Sequence, residues 1–188
     1  MGLIDRIRAT FYSDEGTPVP KKASFKTSAD TVYAPVSGLL VKLADVRDEA
    51  VSSGLLGSGC GIVPGGSTTV YSPVSGRVSS TSVSNHAIGI TTPDDIEVLI
   101  HIGIDTVNMN GRGFTRFVEE NDEVKAGDPL VHFDPEAIKA AGYDDIVVVV
   151  VSNDDAFDGV DVVANSGTTV GGLPLVKIGD PLLGVTRK

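Results

Sequence analysis

The spacing of hydrophobic and polar positions changes period several times along the chain. Leu3, Ile4, Ile7 and Phe11 recur at helical spacing beside Arg6 and Arg8. Residues 1–12 therefore predict a short amphipathic helix able to lie on an anionic membrane surface. From 13 to 30 the chain is polar, with Pro18, Pro20, Lys21 and Lys22, and reads as a flexible linker. Beyond it, short apolar runs alternate with Gly-, Pro- and Asp-containing turns, the pattern of many short strands. Two runs, 87–90 and 96–100, flank the turn signal Pro93-Asp94 and predict a hairpin. The unbroken run Ile146 to Val151 predicts a fully buried strand. Short helices are predicted near 114–120 and over 135–141, where Pro135 is a favourable first helical residue.

The segment Tyr33-Ala34-Pro35-Val36-Ser37-Gly38 returns as Tyr71-Ser72-Pro73-Val74-Ser75-Gly76. Pro129-Leu130-Val131 returns as Pro174-Leu175-Val176. Two copies are too few for a solenoid and predict one internally duplicated β domain over residues 31–178. Residues 179–188 read as a C-terminal tail. The predicted class is all-β: an antiparallel β-sandwich or flattened barrel with internal duplication and a few short helices. Composition agrees, because 22 Gly, 10 Pro and no Trp suit tight turns between strands better than a helical bundle.

The formal net charge of −10 argues against a nucleic-acid partner. The single cysteine, Cys60, excludes an intramolecular disulfide and suits a reducing cytoplasm. It lies among apolar and Gly residues and reads as a buried, inert thiol. No secretory signal or membrane-length apolar run is visible, so the expected location is cytoplasmic, with the N-terminal helix able to touch the membrane's inner face.

The histidines sharpen this picture. A hairpin turn centred between Pro93 and Asp94 would pair His86 with His101, Ile88 with Leu99, and Ile90 with Glu97 on one face. The alternate residues, Ala87, Gly89, Val98 and Ile100 among them, would then face the core. Directly opposed imidazoles would have Cβ atoms about 4.5–5.5 Å apart, and a one-residue slip would separate them. Such a pair in an apolar setting suits three roles. One neutral ring can take a phosphoryl group while the other steadies its oxygens, with the Gly103 carbonyl fixing the nucleophile's tautomer. The pair can instead contribute to a zinc site, although no sequence motif supplies further ligands. It can also be purely structural. His132 lies in an alternating strand and reads as structural. The Gly-rich run 57–61 lacks the ending of a phosphate loop and reads as a turn. The Asp pairs at 94–95, 144–145 and 154–155 read as solvated turns.

The strings Ser84-Asn85-His86-Ala87 and His101-Ile102-Gly103-Ile104-Asp105-Thr106-Val107 closely resemble the active-site segments of glucose-type enzyme IIA of the bacterial sugar phosphotransferase system. Further matching blocks lie at 34–38, 57–59, 111–114, 123–128 and 169–171, so the resemblance spans residues 31–178. The first seven residues resemble the membrane-seeking helix of free-standing members. The resemblance implies that His101 accepts phosphate from the phosphocarrier HPr and passes it to a cysteine on the IIB unit of a sugar permease. His86 would assist onward transfer, and Ser84 would support it with a hydroxyl. Asp48 and Asp105 would meet the partner's basic groups, and Val107 would belong to the apolar docking rim. With Ile88 and Leu99 from the hairpin reading, these make up the expected docking surface. No cofactor is required beyond covalent phosphate on His101, although His86 and His101 would suit a zinc ion completed by a partner. Regulatory targets of the unphosphorylated form are also implied. The pattern departs from the family at Val51, Ser82 and Leu99, where aromatic residues are common, and at Glu49, which replaces an apolar residue. A zinc hydrolase and a purely regulatory binding module are the alternative readings.

Overall fold

The computed structural model describes residues 17–188. The expected helix over 1–12 and the start of the expected linker lie outside the described residues. Every strand pairing among the described residues is antiparallel. A nine-stranded sheet runs in the spatial order Thr169–Val170, Leu173–Val176, Gly38–Lys42, Ser58–Pro64, Asp144–Val151, Glu97–Ile104, Ala87–Thr91, Gly76–Thr81, Glu123–Val124. Two three-stranded sheets accompany it: Thr31–Tyr33, Pro181–Thr186, Gly159–Val162, and Thr69–Tyr71, Pro129–Phe133, Phe114–Arg116. The main core draws Val32, Leu183, Val70, Leu130 and Phe114 from the small sheets and Ile62, Ile90, Ile100 and Val149 from the large one. The expected all-β class holds.

The run Ile146–Val151 is apolar throughout because its strand is covered on both faces. Val147, Val149 and Val151 enter the main core, while Ile146, Val148 and Val150 join Val46, Val51 and Ile104 in a second cluster. Val46 and Val51 come from the segment that follows the strand Gly38–Lys42 and holds the short helix Glu49–Ser52. The large sheet therefore carries a thin apolar layer on its outer side.

Three sequence expectations about elements need correction. Residues 114–116 are a strand rather than part of a helix, whereas the helix Pro135–Ala140 forms with Asp134 accepting from the Glu136 and Ala137 amides. Residues 58–61 open a seven-residue strand and are not a tight turn. Gly59 and Gly61 are needed there because an added Cβ would meet the Val149 carbonyl or the Ile146 and Val41 side chains within 3 Å. The supposed tail is an integral strand: Pro181–Thr186 lies between Thr31–Tyr33 and Gly159–Val162, with Leu182 and Leu183 fully buried.

That last strand also revises the duplication. The structural counterpart of Lys125-Ala126-Gly127-Asp128-Pro129-Leu130 is Lys177-Ile178-Gly179-Asp180-Pro181-Leu182, not the stretch around Pro174. Asp128 accepts from the Lys125 amide and Asp180 from the Lys177 amide. The Asp128 carbonyl accepts from the Ser72 amide, and the Asp180 carbonyl accepts from Ala34. Each repeated Tyr-x-Pro-Val-Ser-Gly segment is thus tied to its own Gly-Asp-Pro turn. The expected linker is in part docked as well: Lys22 pairs with Asp128, and Phe25 packs on Tyr33 at a centroid distance of 5.2 Å.

Candidate active site

The hairpin forms, but in a register one residue from the expected one. Ala87 opposes His101, Ile88 opposes Ile100, and Gly89 opposes Leu99. The cause is the turn. Asp95 has a left-handed backbone (φ 62°), and the Thr92 amide donates to the Ile96 carbonyl, giving a three-residue loop centred on Asp94. The slip turns the first strand over while the second keeps its expected faces. Ile88 is 2% exposed and packs in the main core, so it is not available as the docking residue expected from sequence. Leu99 does lie on the outer face, partly buried against the second cluster.

His101 is on that outer face beside Val148, its cross-strand neighbour. Strand parity alone would then turn His86 toward the core. It escapes parity because it precedes the strand, immediately after Asn85, whose φ of 58° breaks the extended backbone. The rings therefore meet after all, edge to face, with centroids 4.7 Å apart and planes at 85°.

The bend around Ser82–Ala87 is closed by several hydrogen bonds. The Ser82 amide donates to the Ala87 carbonyl, and the Ala87 amide donates to Ser82 Oγ. Ser84 Oγ lies 2.7 Å and Ser82 Oγ 3.2 Å from Nδ1 of His86. Arg116, held by Glu119, donates to the Ser82 carbonyl. Ser82 and Arg116 were not singled out from sequence as contacts of this loop. The available signal was a pair of hydroxyls at alternate positions before a histidine; nothing local marks Arg116.

His86 is 7% exposed. Burial and the neighbouring His101 hold its pKa down at about 4. Burial also lowers the pKa of His101, opposed by the Gly103 backbone and the negative charges of Asp48 and Asp105. Both rings are then neutral near pH 7, and a neutral imidazole is the nucleophilic form. Nδ1 of His101 is enclosed, and the Gly103 backbone is its hydrogen-bonding neighbour, at a geometry looser than an ordinary bond and in the place expected for the tautomer-fixing group. With Nδ1 enclosed, the ring is approached through Nε2.

The strand carrying His101 ends in a tight loop. Gly103 has φ 76°, and a Cβ there would lie 2.3 Å from Thr106 Cγ2. Asp105 follows in the left-handed region at φ 60° and is exposed, as is Val107 at 52%. Asp48 caps the helix Glu49–Ser52 by accepting from the Val51 amide. Val83, at the tip of the His86 bend, is fully exposed. Among the described residues, no group of three or more His, Cys, Asp and Glu side chains is arranged to hold a metal. Nor is any helix among them long and apolar enough to cross a membrane. His132 lies in the sheet of Pro129–Phe133, outside the nine-stranded sheet that carries His101. Burial pushes the Cys60 thiol up to about 12, which leaves it un-ionised.

Comparison with known proteins agrees with this fold. A family model described as phosphoenolpyruvate-dependent sugar phosphotransferase system, EIIA 1, matches residues 30–157. The chain is 39% identical over 158 residues to a glucose-specific EIIA component of Halalkalibacterium halodurans, covering 84% of this chain and 91% of that one. It is 45% identical over 130 residues to a beta-glucoside-specific EIIBCA component of Bacillus subtilis, covering 69% of this chain but 21% of that longer protein. The glucose permease IIA of Mycoplasma capricolum superposes with a TM-score of 0.68 at 31% identity, covering 86% of this chain and 98% of that one. The chain therefore belongs to the EIIA 1 family of the phosphoenolpyruvate-dependent sugar phosphotransferase system.

Proposed function

We propose that this protein is a phosphohistidine carrier that takes a phosphoryl group from HPr on Nε2 of His101 and hands it to the IIB unit of a sugar permease. The observation that carries the reading is the pair of neutral, touching imidazoles, one buried at Nδ1 and approached through Nε2. In the first step the Nε2 lone pair of His101 attacks phosphorus as the donor's P–N bond breaks, and that electron pair returns to the donor ring. In the second, a thiolate of IIB attacks phosphorus and the pair returns to His101.

His86 steadies the phosphoryl oxygens during the second step, with Ser84 on its Nδ1 holding the ring. A carrier needs no closed pocket, because each partner caps the site and excludes water. Val107 and the partly buried Leu99 supply the apolar rim, and Asp48 and Asp105 attract basic groups on the partner. Unphosphorylated, the same face would bind regulatory targets, and added phosphate would repel them. The zinc hydrolase alternative lacks a third ligand beside the two imidazoles among the described residues.

The test is label transfer from phosphoenolpyruvate through enzyme I and HPr. His101→Ala should take up no label. His86→Gln should take up label but pass it to IIB about 100-fold more slowly, the scale for losing one preorganised donor. A His86→Gln variant that cannot be labelled would reverse the assigned roles.

A further inference from the structure

We infer that Ser82 is a positioning residue for His86, a second hydroxyl that keeps the ring's proton on Nε2 even without Ser84. The inference rests on the phosphocarrier reading of the site. Its basis is a proton count within the His86 bend. Among the described residues Ser84 Oγ has one hydrogen-bond partner, Nδ1 of His86 at 2.7 Å. Ser82 Oγ has two: it accepts from the Ala87 amide at 3.0 Å and lies 3.2 Å from the same Nδ1.

A hydroxyl has one proton to give, and for both serines the only acceptor in reach among the described residues is that nitrogen. If Nδ1 carried a proton, neither hydroxyl would have an acceptor among the described residues, which is costly at the buried Ser84. With Nδ1 as acceptor, either hydroxyl satisfies it and the imidazole proton resides on Nε2. Since the serines occupy Nδ1, Nε2 is the nitrogen left to face a phosphoryl oxygen. An N–H there donates a hydrogen bond as charge builds on that oxygen; no proton changes hands.

Arg116 fixes the second hydroxyl in place by donating to the Ser82 carbonyl at 3.4 Å, while its other terminal nitrogen is anchored on Glu119 at 2.7 Å. The Asn85 amide donates to the same carbonyl, so Ser82 is held from both sides of the bend. Ser82 is thus an element of the machinery at a position that the resemblance marks only as a lost aromatic.

The experiment reads the protonated ring nitrogen of His86 by 15N-imidazole NMR on the full unphosphorylated chain, and IIB transfer in parallel. The unaltered protein, Ser82→Ala and Ser84→Ala should all keep the proton on Nε2. The double variant S82A/S84A should move a measurable fraction to Nδ1 and slow onward transfer about tenfold beyond the product of the single losses. Because Ser82→Ala also strips the Ala87 amide of its acceptor, S82T/S84A serves as the control. It restores a hydroxyl and should return the Nε2 pattern. A proton on Nδ1 in the unaltered protein would overturn the inference. So would Ser84→Ala shifting it as far as the double variant, or S82T/S84A failing to restore it. The ring readout needs no phosphate, so failure of label uptake on His101 would refute the carrier reading separately.

Discussion

At the scale of residues, the site works by keeping two bases unprotonated where water would let them titrate near neutrality. His86 reaches a pKa of about 4 chiefly through burial, so its ring should not titrate in an NMR series until the pH approaches that value. A midpoint near 6.5 would contradict this. The same shift couples to stability. The unfolded chain binds the proton more readily, so the contribution is complete above pH 6.5 and is lost as pH falls toward 4. Chemical denaturation at pH 7 and pH 4.5 should therefore show a smaller loss of stability for His86→Gln than for the unaltered protein; equal losses would refute the coupling. These two histidines were legible because an unusual residue type recurred across a turn. Ser82 was not, since a serine beside a bend is ordinary until its distance to a ring nitrogen is known.

At the scale of elements, the hairpin shows how a right conclusion can follow from a wrong register. Strand alternation was readable, but the loop's length depends on which residue adopts a left-handed backbone, and Asp95 gave no distinct signal. One residue of slip moved Ile88 into the core, while Leu99 kept its expected place on the outer face beside His101. The histidines met only because the bend at Asn85 frees His86 from strand parity. The loop after His101 is equally exacting. Gly103→Ala would place a Cβ against Thr106 and the Asp144 carbonyl at positive φ, costing about 1–3 kcal/mol in backbone strain alone. A lowered unfolding midpoint and slowed label uptake are expected, and a variant as stable as the parent would show that the loop can relax.

At the scale of the molecule, the domain is two related halves, each joining a Tyr-x-Pro-Val-Ser-Gly segment to a Gly-Asp-Pro turn. The first motif was plain in sequence, but the second was matched to the wrong proline, and that error made a core strand look like a tail. Removing residues 181–188 would take the central strand from its sheet and, with it, the buried side chains of Leu182 and Leu183. At about 1.5–3 kcal/mol per buried side chain, those two leucines alone rival the roughly 5–15 kcal/mol of a typical domain. The truncated chain should lack a cooperative thermal transition by calorimetry; a normal transition would mean the strand is dispensable. The fold so held exists to present one ring. The most direct test phosphorylates the full chain through HPr and identifies the modified atom by 31P–15N correlation before the acid-labile bond decays. The account predicts a single phosphoryl group on Nε2 of His101. Phosphate on His86, on His132 or on Nδ1 of His101 would contradict it.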